Sequence, residues 1–363
     1  MSSLNSERAG TSLVHPRNPR AHLRGSMTRS RLLLSLTFVS GLLCALVLTL
    51  PSGEPAAAQE QIRMRLATVA PEGTPWEKQL RSLKRHIESE SGGRIRVQSF
   101  MGGSLGGEKA LVRRTAQGSV QAFAGSTAAL GTLVRELNVI EAPYLFDNAQ
   151  QADRALDGDA REIVAGALQR RGFVFGLWAE NGFRSWFTKE RPIRSPGDLQ
   201  GLRMRSQESE VHLATYRAFG ASPQAIDVTN VLTSLQTGVV DGFDNTPLFA
   251  FATSWYQAAR HLNLSEHSYQ PGIVVYSKSW FDDLPADLQA VLTSIPAEIT
   301  TDGRTQVRRM DPILVRNLER YGITVHRPSA SERAAFAKVG RPVQDATARR
   351  AGAQGRALLK ALR

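Results

Sequence analysis

An α/β fold with a largely parallel sheet, spread over two domains, is what this sequence predicts, and three observations carry the prediction. Short alternating or apolar segments of strand character take turns with amphipathic helical ones. Loops rich in glycine, proline and asparagine separate them. And 363 residues, 42% hydrophobic and 21% charged, exceed one small domain and supply ample core for two.

In order along the chain, Ile62, Met64 and Leu66 alternate with Arg63 and Arg65, the pattern of a half-buried strand. Residues 70–76 are a loop, after which Trp76, Leu80, Leu83 and Ile87 recur at helical spacing until Gly92 and Gly93 end the helix. Ile95 and Val97 mark a second strand, 101–107 a glycine-rich loop, and 108–117 a second helix. Ligands of such sheets bind at the carboxyl ends of the strands. Small and apolar residues fill 120–129, an alanine-rich helix is expected near 149–170, and a buried strand at 174–178. Helices follow at 208–219 and around Val231, Leu232 and Leu235, with Asn245 in a turn beyond. Residues 272–276 read as a strand, the helical segments after Trp280 as interrupted by Pro296 and Pro312, and 323–325 as a late strand before a polar closing helix.

The beginning of the chain reads differently. Arg29 and Arg31, an apolar run over 32–50, and Ala56, Ala57 and Ala58 before Gln59 are the three parts of a secretory signal peptide. Cleavage is expected after Ala58, with Met27 a better start than Met1 and an uncleaved anchor as the competing outcome. The sole cysteine, Cys44, lies inside the run, and Leu43 before it is not the small residue of a lipoprotein site. Without 1–58, 39 basic and 31 acidic side chains remain, about +8, and they are spread along the chain. That spread argues for acidic ligands or for none, rather than for nucleic acid. No P-loop, GxGxxG, CxxC or HExxH pattern occurs, so neither a metal nor a cofactor is expected.

Residues 198–205 are the first candidate site. Asp198 and Gly201 are turn residues, and Arg203 and Arg205 share one face of a short strand. A guanidinium is a planar fork of donors that matches a carboxylate. Arg184 sits among aromatic residues, where it either stacks on a ring or forms a second anion contact. Asn245 is a small amide that donates and accepts. Gly102, Ser104 and Gly106 form a G-x-S-x-G match after a strand and before a helix, with His212, His261, His267 and His326 downstream. An exported serine hydrolase using Ser104 is therefore an alternative; a plain turn loop is preferred, because no oxyanion motif precedes it.

Beyond these features, the chain resembles the DctP-type extracytoplasmic substrate-binding proteins of TRAP transporters. The matching stretches are 92–95 with 101–106, 142–146, 198–205, 220–223, 231–242 and 280–289, in the same order across nearly all of the expected mature part. The resemblance implies a two-domain periplasmic-binding-protein-like α/β fold with hinge strands and a cleft between the domains. It places domain I at 59–181 plus 272–310 and domain II at 182–271 plus 311–363, with C-terminal helices that span the two domains. It implies Arg205 as the partner of a ligand carboxylate, with Arg184 and Asn245 as further polar contacts and Glu72, Trp76, Ser126, Trp186 and Phe243 as other ligand-binding candidates. Trp76, Trp178, Trp186 and Phe243 could line an apolar cleft, but at helical or strand spacing such aromatics are more often core residues. The apolar character of 70–76 and 248–256 turns the expected ligand from a sugar acid toward a dicarboxylate, keto acid, aromatic acid or lipid-like acid. The implied partners are a small organic acid and the small and large TRAP membrane subunits, the location is the periplasm, and no enzyme activity is implied. A same-fold receptor serving an apolar ligand, a sensor kinase or a lipid shuttle is the remaining alternative.

Overall fold

The structure is a computed structural model that describes residues 61–363; the leader, Met27, Cys44 and the expected cleavage site lie outside the described residues. Nine strands form a single sheet in the order β2-β1-β3-β8-β4-β7-β5-β6, with β9 beside β8. In the first half, β1 (Ile62–Thr68) runs parallel to both β2 (Ile95–Phe100) and β3 (Ala122–Ser126). In the second, β5 (Arg203–Ser206) runs parallel to β6 (Ser222–Ala225) and β7 (Gly242–Asn245).

Two long strands join the halves. β4 (Phe173–Thr188) and β8 (His261–Ser277) are antiparallel to each other, to β7 and to β3 respectively, while β9 (Thr324–His326) lies parallel to β8. The sheet is thus mixed rather than largely parallel. The expected strands at 174–178 and 272–276 are fragments of these two elements. Their other parts carry Asn181, Arg184, Ser185, Asn263, Ser265, His267, Ser268 and Gln270, all buried, so their polarity conceals a central strand. β4 changes register between Glu180 and Gly182, and Gly182 takes φ 105°, a bend that suits glycine at the crossing between the halves.

Helices cover both faces. In α1 (Pro75–Glu90), Thr74 caps the first turn and Trp76, Leu80, Leu83 and Ile87 turn inward, as their spacing predicts. They meet Met64, Leu66, Ile95 and Val97 of the sheet. Each such fully buried side chain contributes about 1.5–3 kcal/mol of apolar transfer energy. α2 (Glu108–Ala116) follows the glycine loop. The expected helix at 149–170 is split at Gly158 into Ala149–Asp157 and Asp159–Gln169. Pro312 does not interrupt: it lies inside one 25-residue helix, Ala297–Tyr321. Arg308 ties that helix to Glu180 of β4 and to Asp153. Among the described residues, no helix is long and apolar enough to cross a membrane.

A candidate ligand cavity between the sheet halves

The carboxyl ends of β1 and β3 from one half and of β5 and β7 from the other converge on a cavity. This is the place where parallel α/β sheets present ligand sites. Val69, Ala70, Trp76, Val228 and Phe249 form its apolar wall, and Arg184, Arg205, Asn245, Glu108, Ser126 and Gln270 are among its polar lining.

Arg205 is 2% exposed. Its Nε donates to Ile226 O at 3.0 Å and its guanidinium lies 5.1 Å from the centre of the Trp255 ring. No carboxylate comes within ion-pair range among the described residues, and its two terminal nitrogens donate to no protein acceptor there. Burial, with Arg184 adding repulsion, lowers its pKa from 12.5 to about 10, so it stays charged at neutral pH. Arg203, its expected companion on the strand face, is instead exposed at the strand start and pairs with Asp241 at 2.5 Å.

Arg184 has the opposite character. All five of its N–H donors meet protein acceptors: Nε to Asp244 Oδ2 at 2.6 Å, one terminal nitrogen to Asp244 O and Oδ1 at 2.6 and 2.9 Å, the other to Gln270 Oε1 at 2.8 Å and Asn245 Oδ1 at 3.4 Å. Of the two roles open to it, stacking on a ring is not what it does; Arg205 is the one that lies over an indole. Burial pushes the Asp244 carboxyl up, but Arg184 outweighs it and holds the group well below the usual range. Tyr216 Oη donates to Asp244 Oδ1 at 2.6 Å, and His267 Nε2 lies 3.3 Å from Oδ2. Burial lowers His267 to about 4, so it is neutral at pH 7. Glu141, also fully buried, accepts from Thr127, Ala128 N and Gln270 and lies 2.7 Å from His212 Nε2; these contacts overcome burial and lower its pKa.

Of the residues expected at the site, the structure brings Arg205, Arg184, Asn245, Trp76 and Ser126 to the cavity. Asn245 is not in a turn but ends β7; its Oδ1 is occupied and its Nδ2 has no protein acceptor among the described residues. Trp76 fits against the hinge strand because Gly272 has no side chain; a Cβ there would lie 2.1 Å from the indole. Three expected residues stand elsewhere. Phe243 points into the core of the second half, stacked on Phe187 at 4.7 Å, because alternate residues of β7 face opposite sides. Trp186 is buried against His267, their rings 3.7 Å apart, beneath the polar network. Glu72 is exposed in the loop before α1 and does not line the cavity. Trp178 is core, its Nε1 donating to Leu156 O.

Sequence reasoning missed Glu108, Gln207, Asn181 and Gln270. Glu108 opens α2, and its Oε1 accepts from Ser126 N at 2.7 Å while Oε2 accepts from Ser126 Oγ at 2.9 Å and Gln207 Nε2 at 3.0 Å. Burial raises its pKa against these three donors. Its position after a glycine loop at a helix start was a signal; that of Gln207, two residues beyond Arg205, was weaker. Ser104 is exposed in its turn, with no side-chain hydrogen bond to a histidine or acid among the described residues. Nor do the described residues contain a group of three or more His, Cys, Asp or Glu able to hold a metal ion.

A sheet of two parallel halves sharing long hinge strands, with an anion-ready cavity between them, defines a solute-binding protein of the periplasmic type. The family model of bacterial extracellular solute-binding protein, family 7 (DctP), matches residues 66–350, and the chain belongs to that family. The C4-dicarboxylate-binding periplasmic protein DctP of Rhodobacter capsulatus is 30% identical over 331 residues, covering 91% of this chain and 99% of its own. The crystal structure of the sugar acid binding protein DctPAm from Advenella mimigardefordensis, in complex with galactonate, matches with a TM-score of 0.78 at 26% identity, over 84% of this chain and 98% of its own. A TRAP periplasmic solute binding protein from Citrobacter koseri with bound D-glucuronate matches with 0.76 at 27% identity, over 82% and 98%. The fold is that of the TRAP solute receptors, and the family is one of receptors rather than enzymes.

Proposed function

We propose that this chain is the extracytoplasmic receptor of a TRAP-type importer, that it holds a small organic acid in the cavity by its carboxylate on Arg205, and that it has no catalytic activity of its own. The single observation that carries the reading is Arg205: a buried guanidinium whose two outer nitrogens are unpartnered at a cavity wall. An ion desolvated in this way calls for a counter-charge, and a ligand carboxylate supplies one bidentately. Asn245 Nδ2 adds a second free donor. Arg184, its donors already engaged, contributes by fixing Asn245 and Gln270 rather than by binding the anion.

The halves 59–181 plus 272–310 and 182–271 plus 311–363 act as the closing lobes, with the C-terminal helices spanning both, since Ala348, Leu358, Leu359 and Leu362 pack in the core of the first half. Ligand contacts from both favour the closed state, and the small and large membrane subunits receive the solute from it. Export through the expected signal peptide places the receptor in the periplasm. The test is thermal denaturation of residues 59–363 with and without a panel of small carboxylic acids, on the parent and on Arg205→Met. Stabilisation by an acid in the parent, absent in the variant, is the expected outcome. An equal shift in both refutes the anchor.

A further inference from the structure

Three lining residues of the cavity carry formal charge: Arg184, Arg205 and Glu108. Arg184 is cancelled by Asp244, which leaves one uncompensated cation, Arg205, on the second half of the sheet. Glu108 stands on the first half as a fixed acid. Its carboxylate is seated over Gly125, where a Cβ would lie 2.6 Å from Oε1, and three donors from Ser126 and Gln207 orient it as an acceptor. Gln207 also donates to Ser126 Oγ, so this seat is closed by a residue of the opposite half.

A ligand with two carboxylates meets this arrangement badly. One end pairs with Arg205, while the other finds no free cation among the lining residues and shares the cavity with Glu108. Burying such an unpaired charge is strongly unfavourable, and Glu108, whose two oxygens already accept from Ser126 and Gln207, meets it with acceptors rather than donors. A ligand with one carboxylate and a hydroxyl matches both walls: the carboxylate accepts from Arg205 and Asn245, and the hydroxyl donates to Glu108. We propose that the cavity selects hydroxylated monocarboxylates and that Glu108 is the specificity-determining residue that rejects a second carboxylate. The inference rests on Arg205 as the carboxylate anchor. It separates this chain from the Rhodobacter capsulatus relative, whose name gives C4-dicarboxylates as its ligand. Specificity of this kind comes from a repulsive element as much as from an attractive one.

Calorimetric titration at pH 8 with three matched pairs tests it: galactonate against galactarate, 4-hydroxybutyrate against succinate, and 6-hydroxyhexanoate against adipate. In the wild type the monocarboxylate of at least one pair binds about tenfold or more tightly than its dicarboxylate. Glu108→Gln narrows that ratio from both sides, tightening the dicarboxylate and weakening the hydroxy acid. Equal or tighter binding of the dicarboxylates by the wild type overturns the inference, as does an unchanged ratio in Glu108→Gln; should that variant not fold, the wild-type preference alone decides. Arg205→Met separates the two levels. If it abolishes binding while dicarboxylates are preferred, only the selectivity claim fails; if it binds like the wild type, or if no acid binds the wild type at millimolar concentration, the anchor fails with it.

Discussion

Two arginines line the same cavity, and their replacement by methionine has opposite consequences for the ligand-free protein. Arg205 is held in a place that disfavours its charge: a fall in pKa from 12.5 to about 10 corresponds to roughly 3 kcal/mol at about 1.4 kcal/mol per pH unit. The sign follows from proton counting. Between pH 10 and 12.5 the unfolded chain holds more protons than the native one, so stability rises with pH across that window, and below it the whole cost is present. Arg205→Met removes the cost, but it also removes the contact with Trp255, about 0.5–2 kcal/mol, and the bond to Ile226 O, about 1 kcal/mol. The balance is a ligand-free variant as stable as the parent or up to about 1.5 kcal/mol more stable. Arg184→Met instead leaves Asp244 buried without its counter-ion, a loss of about 3–5 kcal/mol and on the order of 10 °C in melting temperature. Chemical denaturation of both variants without ligand is the assay. A loss of 3 kcal/mol or more in Arg205→Met would mean that Arg205 is a structural ion like Arg184, and the reasoning would be wrong.

Other outcomes follow from the same geometry. A Cβ at Gly107 would lie 1.7 Å from Asp227 Oδ2 of the facing half, although the backbone there, φ −73°, accepts any residue. Gly107→Ala should therefore keep its stability yet lose about tenfold or more in ligand affinity, because the closed state becomes less populated, and Asp227→Ala in the same chain should restore it; titration checks both. Asp311, in the long helix, has its pKa pushed up to about 7 by burial and by Glu266 and Glu180. The unfolded carboxyl releases its proton near pH 4 and the native one only near 7, so native stability falls as pH rises through that window. Asp311→Asn should be about 1–2 kcal/mol more stable than the parent at pH 8, a difference that closes toward pH 4 in denaturation curves; the figure allows for the contact Asp311 keeps with water.

The alternation of segments was enough for the α/β class, because periodicity reports which side of each element meets a core. α1 is the clear case: Trp76, Leu80, Leu83 and Ile87 are the buried stripe their spacing announces. Arg205 was legible only as one of two guanidinium forks on a short strand, beside Arg203; its choice as the anchor came from the resemblance to the DctP-type family. The long hinge strands were not legible. Their buried residues include Arg184 and Gln270, bonded to each other across 86 residues of chain, and Arg184 and His267 both meet Asp244, 60 and 23 residues away; no local pattern distinguishes them from a solvated loop. The same holds for the two arginines. Alone, each is a potential anion fork; only the fold sets Asp244 against Arg184 and leaves Arg205 without an ion pair among the described residues, and only the fold carries Glu108 to the opposite wall. The sequence by itself determined the class of the protein and the kind of charge it offers a ligand. The tertiary structure decided which charges remain free, because ion pairing depends on distances between segments that the order of residues does not contain.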